Sequence, residues 1–179
     1  MASKTFQNLP PAKQASVQQA LLTEFSTHDL ADAQVARIVK AAGIARGAFY
    51  KYFTDLTDAY NYLYHFALMN LHDYAIKEHH LLTAAEYAKQ VTTFLQQVNA
   101  SPYYDLVKRH FAVNEALLHP EQDPQLRPVS TVEWAVMTLV HQAIKEGLAQ
   151  PDQAGVVVAR LQAALSTLLA KEENHVSGN

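Results

Sequence analysis

The chain has no cysteine among its 179 residues. Disulfide bonds and thiolate chemistry are therefore excluded, and a reducing cytoplasm fits this composition. Glycine is scarce, with five residues in all, and neither GxGxxG nor GxxxxGK[ST] occurs, which excludes the common phosphate-binding loops. No apolar run approaches the roughly 20 residues of a membrane span, and the first residues lack the apolar core of a signal peptide. We expect a soluble cytoplasmic protein with no membrane partner.

The sequence also lacks the local motifs of common enzymes. Neither GxSxG nor HExxH is present, and the carboxylates are scattered without an acid–base pattern. His65, His72 and His79 recur every seven residues, with His80 adjacent. At about 1.5 Å per residue they stand about 10 Å apart on a helix, too far for one zinc ion to bridge. We therefore expect no enzyme, no cofactor and no metal site, and interpret these histidines as a polar stripe.

Apolar residues recur at helical spacing along the whole chain, and no strand-like alternation appears. This pattern predicts an all-α fold of about eight to nine helices. Charge is divided unevenly: residues 1–55 have a formal net charge of +2, and the remainder −5. A mildly basic N-terminal part on an acidic body suggests that only the N-terminal part approaches phosphates.

The segment from Val35 to Phe53 reads VARIVKAAGIARGAFYKYF. Its apolar residues predict two short helices, the second over about residues 45–51, separated by a turn at Gly43. Such a turn needs left-handed backbone, which glycine adopts at little cost. Two helices that cross steeply need small apolar contact faces, and four residues fit this requirement: Ile38, Ala42, Ile44 and Phe49. The segment predicts a helix-turn-helix.

The second helix of this segment carries groups that suit DNA. Arg46 can bind guanine O6 and N7 with two hydrogen bonds, and lysine and tyrosine side chains can bind phosphates. Gly47 and Ala48 keep the surface between them shallow. The alternative is that Tyr50 and Tyr52 are core aromatics and that the cations form a solvated face. The whole pattern, with its turn glycine and short helices, favours DNA binding.

The stretch AAGIARGAFYKYF resembles the signature of TetR-type transcriptional regulators, AxxAGxxxGxxYxYF, and the resemblance covers roughly residues 13–60. It implies a helix-turn-helix DNA-binding domain over residues 1–54 and an effector-binding and dimerisation domain over 55–179. It further implies a homodimer through helices 129–148 and 152–169, bound to a palindromic operator in double-stranded DNA. The implied function is that of a ligand-responsive repressor released by a small molecule.

The resemblance also suggests which residues contact the operator. It places Tyr50 on a phosphate, Arg46 and Lys51 towards bases or phosphates, and Gln34 at the phosphate-facing start of the first helix of the motif. The sequence departs from the family where Ala45 and Ala48 replace the usual Ser or Thr. Leu56 likewise stands where Lys is common. The full set of expected DNA-binding residues is Lys13, Gln34, Ala45, Arg46, Gly47, Ala48, Tyr50, Lys51 and Tyr52.

The remainder of the chain is rich in aromatic residues and histidine that could line an effector pocket, because pockets between helices are mostly apolar with a few polar groups. The same residues could also be simple core. The candidates are Tyr64, Met69, Tyr103, His110, Phe111, Trp134 and His141. The last two helices carry more apolar surface than one helix contact buries, and either a dimer that forms a four-helix bundle or an intramolecular core would cover it. The resemblance implies the dimer. The alternative function is an all-α protein-binding adaptor that kept the fold but lost operator recognition.

Overall fold

The computed structural model describes residues 2–71, 82–118 and 130–176, with side chains as far as residue 170. All regular structure in these ranges is helical, so the predicted all-α fold is confirmed. Three short 3₁₀ segments cover Leu30–Asp32, Asn114–Leu117 and Pro151–Gln153. The α-helices in chain order are α1 (Lys4–Gln7), α2 (Pro11–Thr27), α3 (Val35–Ala42), α4 (Arg46–Tyr52), α5 (Leu56–Asn70), α6 (Ala84–Asn99), α7 (Tyr104–Ala112), α8 (Thr131–Ala149) and α9 (Ala154–Val176).

The chain divides into two compact units, each built from two separate stretches of sequence. The first contains Met1–His72 and Ser101–His119, and the second contains Asp73–Ala100 and Pro120–Asn179. This division of the fold differs from the boundary predicted between residues 54 and 55, because α5 and α7 belong to the first unit. The functional division into a DNA-binding and an effector-binding domain stays a prediction.

The core of the first unit is aromatic. Phe25 and Tyr60 meet edge to face with ring centroids 5.2 Å apart, and Phe6 lies 5.2 Å from Phe53. Such edge-to-face and tilted ring contacts stabilise the core beyond the contribution of the apolar area that the rings bury. Of the four predicted contact residues of the motif, Ile38 and Phe49 are fully buried, whereas Ala42 and Ile44 are partly buried against the same core. The predicted helix-turn-helix core is thus present.

The second unit packs α6, α8 and α9 together. Its core includes Phe94, Ile144 and Leu165. Both α6 and α8 begin with a capping box, in which an N-cap hydroxyl and a glutamate three residues later bond each other's backbone N–H. At Gly147 an added Cβ would lie 2.6 Å from Leu95 Cδ1, so this glycine allows α8 to lie close to α6.

Helix α8 corresponds to the predicted helix 129–148 and α9 to the predicted helix 152–169. Both begin later than predicted and end later, α8 at Ala149 and α9 at Val176. Within the described residues, Pro151–Ala170 is long and apolar enough to cross a membrane, judged by length and composition alone. The expectation that no segment reaches that length is therefore wrong. A single such helix is weak support for a membrane span, because core helices of soluble proteins meet the same criterion.

Candidate DNA-binding surface

The turn between α3 and α4 has the geometry that the sequence predicted. Gly43 ends α3 with φ 64° and ψ 36°, in the left-handed region. The Ile44 N–H donates to the Val39 carbonyl at 3.1 Å, which closes the end of the helix. Ala45 is then extended, with φ −68° and ψ 148°, and α4 begins at the next residue. Gly43 thereby sets the direction in which α4 leaves α3.

A buried carboxylate in α2 holds the start of α3. The Glu24 side chain is 4% exposed and accepts the Gln34 backbone N–H at 2.7 Å. It also accepts Arg37 Nε at 2.9 Å and Arg37 Nη2 at 2.6 Å. Burial opposes ionisation of this carboxyl group, but the hydrogen bonds from Arg37 and Gln34 outweigh it and lower the pKa of Glu24. An ionised Glu24 therefore binds the residue that precedes α3 and, through Arg37, joins α3 to α2.

The outward face of α4 presents a cation, a hydroxyl and bare backbone. Tyr50 is 49% exposed, and its hydroxyl accepts a hydrogen bond from Arg46 Nη2 at 3.3 Å. The guanidinium carbon lies 5.7 Å from the Tyr50 ring centroid, within cation–π range. Gly47 and Lys51 are also exposed, and residues spaced three or four apart share one helix face. These four residues therefore form one surface.

The other expected DNA-binding residues take different positions. Ala45 is exposed and provides no side-chain cap for α4, and Ala48 is partly buried. Gln34 and Lys13 are exposed at the starts of α3 and α2. Tyr52 lies in the core instead, 7% exposed and packed against Phe6 at 5.6 Å between centroids. For Tyr52, the alternative interpretation as a core aromatic agrees with its burial.

Sequence reasoning missed the contact that ends α4. The Ser3 N–H donates to the Tyr52 carbonyl at 2.9 Å, and the Ser3 hydroxyl donates to the Lys51 carbonyl at 2.6 Å. The same hydroxyl accepts the Phe6 N–H at 3.3 Å and caps α1. One serine near the start of the chain thus binds both the first helix and the carboxyl end of α4.

Five of the pocket candidates lie in the first unit. Three of them, Tyr64, His110 and Phe111, contact one another through His110. His110 stacks on Tyr64 with ring centroids 3.8 Å apart and meets the Phe111 ring edge to face at 5.4 Å. His110 Nδ1 also forms a 2.9 Å hydrogen bond with the hydroxyl of Tyr60. Burial raises the pKa of this Tyr60 hydroxyl, although Asn114 beside it acts in the opposite direction.

The remaining pocket candidates are more scattered. Tyr103 is partly buried, and Met69 is 67% exposed on α5. In the second unit, Trp134 is 61% exposed on α8, and His141 is partly buried. Of the histidine stripe, His65 is exposed, whereas His72, His79 and His80 lie outside the described residues. Among the residues that the structure describes, no group of three His, Cys, Asp or Glu side chains is arranged to hold a metal ion.

Residues 14–56 match the family model described as bacterial regulatory proteins, tetR family. Among solved structures, a TetR family transcriptional regulator from Chloroflexus aurantiacus J-10-FL aligns with a TM-score of 0.54 at 19% identity, covering 94% of this chain and 96% of that one. A TetR transcriptional regulator from Rhodococcus sp. RHA1 aligns with a TM-score of 0.45 at 14% identity, covering 89% and 98%. No curated protein matches the sequence.

These comparisons bear on different parts of the chain. The likeness to the Chloroflexus structure extends over nearly the whole length and concerns the fold. The family match is confined to the stretch from α2 to the first residue of α5, which contains the Gly43 turn and the exposed face of α4. The resemblance inferred from the motif is confirmed. Residues 14–56 therefore form a helix-turn-helix domain of the tetR family of bacterial regulatory proteins.

Proposed function

We propose that this chain is a ligand-responsive transcriptional repressor that binds a palindromic operator as a homodimer and is released by a small molecule. The observation that carries the proposal is the exposed face of α4, defined by Arg46, Gly47, Tyr50 and Lys51. This face combines charge, a hydroxyl and accessible backbone, which are the groups that contact base edges and phosphates. The proposed site of action is the bacterial cytoplasm, where the DNA lies.

Each group on this face has a proposed task. Arg46 reads guanine in the major groove, and its contact with Tyr50 keeps the guanidinium on the DNA side of the helix. The Tyr50 hydroxyl and the Lys51 ammonium bind phosphates on either side. Further phosphate contacts come from Lys13 in α2 and from Gln34, the residue before α3. Ala45 and Ala48 offer no hydrogen-bonding side chain, so they contribute close approach rather than polar contacts.

Gly47 supports this assignment because the folded chain alone does not require it. A Cβ added at Gly47 would meet no described atom within 4 Å, and among the described glycines the left-handed backbone is found at Gly43. Alanine would stabilise a helix by up to about 1 kcal/mol relative to glycine. We infer that the open space at Gly47 is filled by DNA. Gly47→Ala should then raise the melting temperature slightly and lower operator affinity.

The proposed dimer uses α8 and α9. Three large apolar side chains on these helices are more than half exposed: Trp134 at 61%, Met137 at 58% and Val156 at 66%. Within the apolar stretch Pro151–Ala170 the buried side chains are Val157, Leu161 and Leu165. A second copy would cover this surface and form a four-helix bundle. A shallow groove on it is lined by Trp134, Ala135, Thr138, Leu139, Ala164, Thr167 and Leu168.

Release follows from the geometry of a dimer on DNA. Two recognition helices must reach major grooves about 34 Å apart. A small change in the separation of the two helix-turn-helix domains therefore lowers the affinity for the operator. A ligand that binds better to the wrongly spaced form shifts the equilibrium away from DNA. Among the pocket candidates, the stacked Tyr64 and His110 offer an aromatic face beside a polar group. An aromatic or lipophilic effector fits this combination.

The DNA-binding proposal is tested by selecting sites from random duplexes at low salt without added ligand. We expect a palindrome whose half-sites are centred about one helical turn apart. The double variant Tyr50→Ala, Lys51→Ala should bind the selected site more weakly and with a shallower salt dependence. Lys89→Ala, which removes one exposed lysine from α6, serves as the charge-matched control. Failure of the wild-type chain to enrich any palindrome refutes the proposal and favours the adaptor alternative.

The dimer is tested separately by sedimentation. Met137→Glu places a charge on the exposed face of α8 and should yield a monomer at micromolar concentration. Met69→Glu is the matched control, since Met69 is 67% exposed on α5, and it should remain dimeric. A Met137→Glu variant that sediments as the wild-type dimer would exclude α8 from the interface.

Effector release is tested on the selected duplex. A panel of small aromatic and lipophilic compounds is added, and the operator Kd is measured for each. A compound that weakens wild-type binding should lose its effect when the stacked site is changed by Tyr64→Ala. A compound that acts equally on this variant binds elsewhere.

A further inference from the structure

The carboxyl end of α4 is held by a segment that precedes the family match. We define the N-terminal clasp as residues 2–9, which include α1, whereas the match begins at residue 14. Helix α4 has seven residues and no side-chain cap at its first residue. A helix this short is unstable alone, and its terminal carbonyls need partners from outside. The clasp supplies those partners.

The clasp binds α4 through both polar and apolar contacts. Ser3 takes two of the last carbonyls of α4, through its N–H at 2.9 Å and its hydroxyl at 2.6 Å. Phe6 is 1% exposed and packs against Tyr52, Phe53 and Tyr62, with centroid separations of 5.6, 5.2 and 5.2 Å. These contacts determine where the last turn of α4 lies on the core.

The clasp is itself fixed to α2. Gln14 Nε2, in the first turns of α2, donates to the carbonyls of Gln7 at 3.0 Å and Leu9 at 2.8 Å. Gln7 Nε2 in turn donates to the Ala2 carbonyl at 3.1 Å. The segment is therefore bonded at both ends, to α2 on one side and to α4 on the other, and it can transmit the position of α2 to α4.

We propose that Ser3 is a positioning residue for DNA recognition, acting through the carboxyl end of α4. The carbonyl that receives its hydroxyl belongs to Lys51, whose exposed side chain is assigned to a phosphate, and Tyr50 lies one residue earlier. Without the Ser3 contact the last turn of α4 frays, and these two side chains lose a fixed direction. The inference rests on the proposed function, because it assumes that α4 reads DNA.

The test compares Ser3→Ala with Ser3→Thr in the full chain, using the duplex selected by the wild type. Ser3→Ala removes both hydrogen bonds of the hydroxyl, to the Lys51 carbonyl and from the Phe6 N–H, and keeps the backbone bond to Tyr52. Loss of the bond to Lys51 corresponds to a change of about two- to tenfold. For Ser3→Ala we expect operator affinity to fall by about that factor and the salt slope to become shallower by about one unit as the Lys51 contact is lost. Amide exchange in α4 should accelerate, while exchange in α8 and α9 stays unchanged. Ser3→Thr keeps the hydroxyl and should restore all three readouts.

Thr23→Ala is the control, because its hydroxyl bonds a carbonyl of its own helix, Gln19 O at 3.0 Å. It should leave affinity and salt slope unchanged. If wild-type protein binds its duplex and Ser3→Ala binds equally well with the same salt slope, the inference is overturned, whatever the exchange in α4. If the wild type selects no DNA, the proposed function fails, and the role of Ser3 in recognition fails with it. The wild-type result therefore separates the two failures.

Discussion

Replacing Glu24 by glutamine changes the buried group that attaches α3 to α2. The carboxylate is 4% exposed and bonds one backbone N–H and the Arg37 guanidinium. Glutamine has nearly the same shape but one carbonyl oxygen and no charge, so it cannot accept all of these hydrogen bonds. Because α3 carries the Gly43 turn, we expect the loss to reach the recognition helix as well as the start of α3.

The magnitude follows from the number and kind of bonds lost. A buried hydrogen bond to a charged group contributes about 1.5–3 kcal/mol. The one carbonyl oxygen of glutamine can still accept a hydrogen bond from the Gln34 N–H or from Arg37. It cannot replace the second carboxylate oxygen, and it carries no charge to pair with the guanidinium. The free energy of unfolding of the first unit should therefore fall by about 1.5–3 kcal/mol. This range is large compared with the effect of an ordinary surface substitution.

The pH dependence has a definite sign. The pKa of Glu24 in the folded protein lies below its ordinary value of 4.5, so the folded state favours the ionised form. Its contribution to stability is fully present above about pH 4.5 and is lost as the pH falls through the lowered pKa. The wild type should lose stability over this acidic range, and Glu24→Gln should lose less because that group no longer titrates.

The assay is urea unfolding at pH 7 and at pH 4, with amide exchange used to locate the change. Exchange in α3 and α4 should accelerate in Glu24→Gln, while α8 and α9 keep wild-type exchange. Glu146→Gln is the control, since Glu146 pairs with Arg160 at an exposed position and should change stability little. Equal stability of Glu24→Gln and wild type at pH 7 would refute the assignment of Glu24 as a structural anchor.

Three further substitutions test other parts of the first unit. Gly43→Ala forces a side chain into left-handed backbone at φ 64° and should lower stability by about 1–2 kcal/mol; an unchanged melting temperature would contradict it. Tyr60→Phe removes a buried hydroxyl that bonds His110 at 2.9 Å and should cost about 1–3 kcal/mol in urea unfolding; equal stability would argue against that bond. Arg109 contacts Asp29 at 2.5 Å, and the two side chains are 32% and 29% exposed. Arg109→Gln weakens this ion pair and should lower the free energy of unfolding by about 1 kcal/mol in the same assay; a larger loss would mean that packing dominates at this position.

The motif was predictable because its determinants are local. Apolar spacing defines α3, and Gly43 ends it, whatever the rest of the chain does. The burial of Tyr52 was accessible to the same reasoning, since Phe49, Tyr52 and Phe53 are spaced three and four apart and share one helix face. Tyr50 falls outside that spacing, and it is the tyrosine of the pair that is exposed.

Other features depend on contacts between distant residues and could not be read from local pattern. Helix α1 has four residues, so it shows no period, and it exists because Ser3 and Phe6 find partners about 50 residues away. Glu24 left a signal, because an acid on the apolar face of α2 requires a buried partner. The stack of His110 on Tyr64 needs α5 and α7 to be neighbours, which the spacing within either helix does not determine.

The interleaved composition of the two units has a consequence for synthesis. A chain emerges from the ribosome starting at its N-terminus, yet the first unit needs α7, whose Leu106 and Val107 are fully buried. Helix α6, which belongs to the second unit, is made before α7. Part of the apolar surface of the nascent helix-turn-helix therefore stays exposed until α6, which belongs to the other unit, and then α7 have been translated. Residues 14–56, which match the family model, are thus only part of what must be synthesised before the first unit can complete its fold.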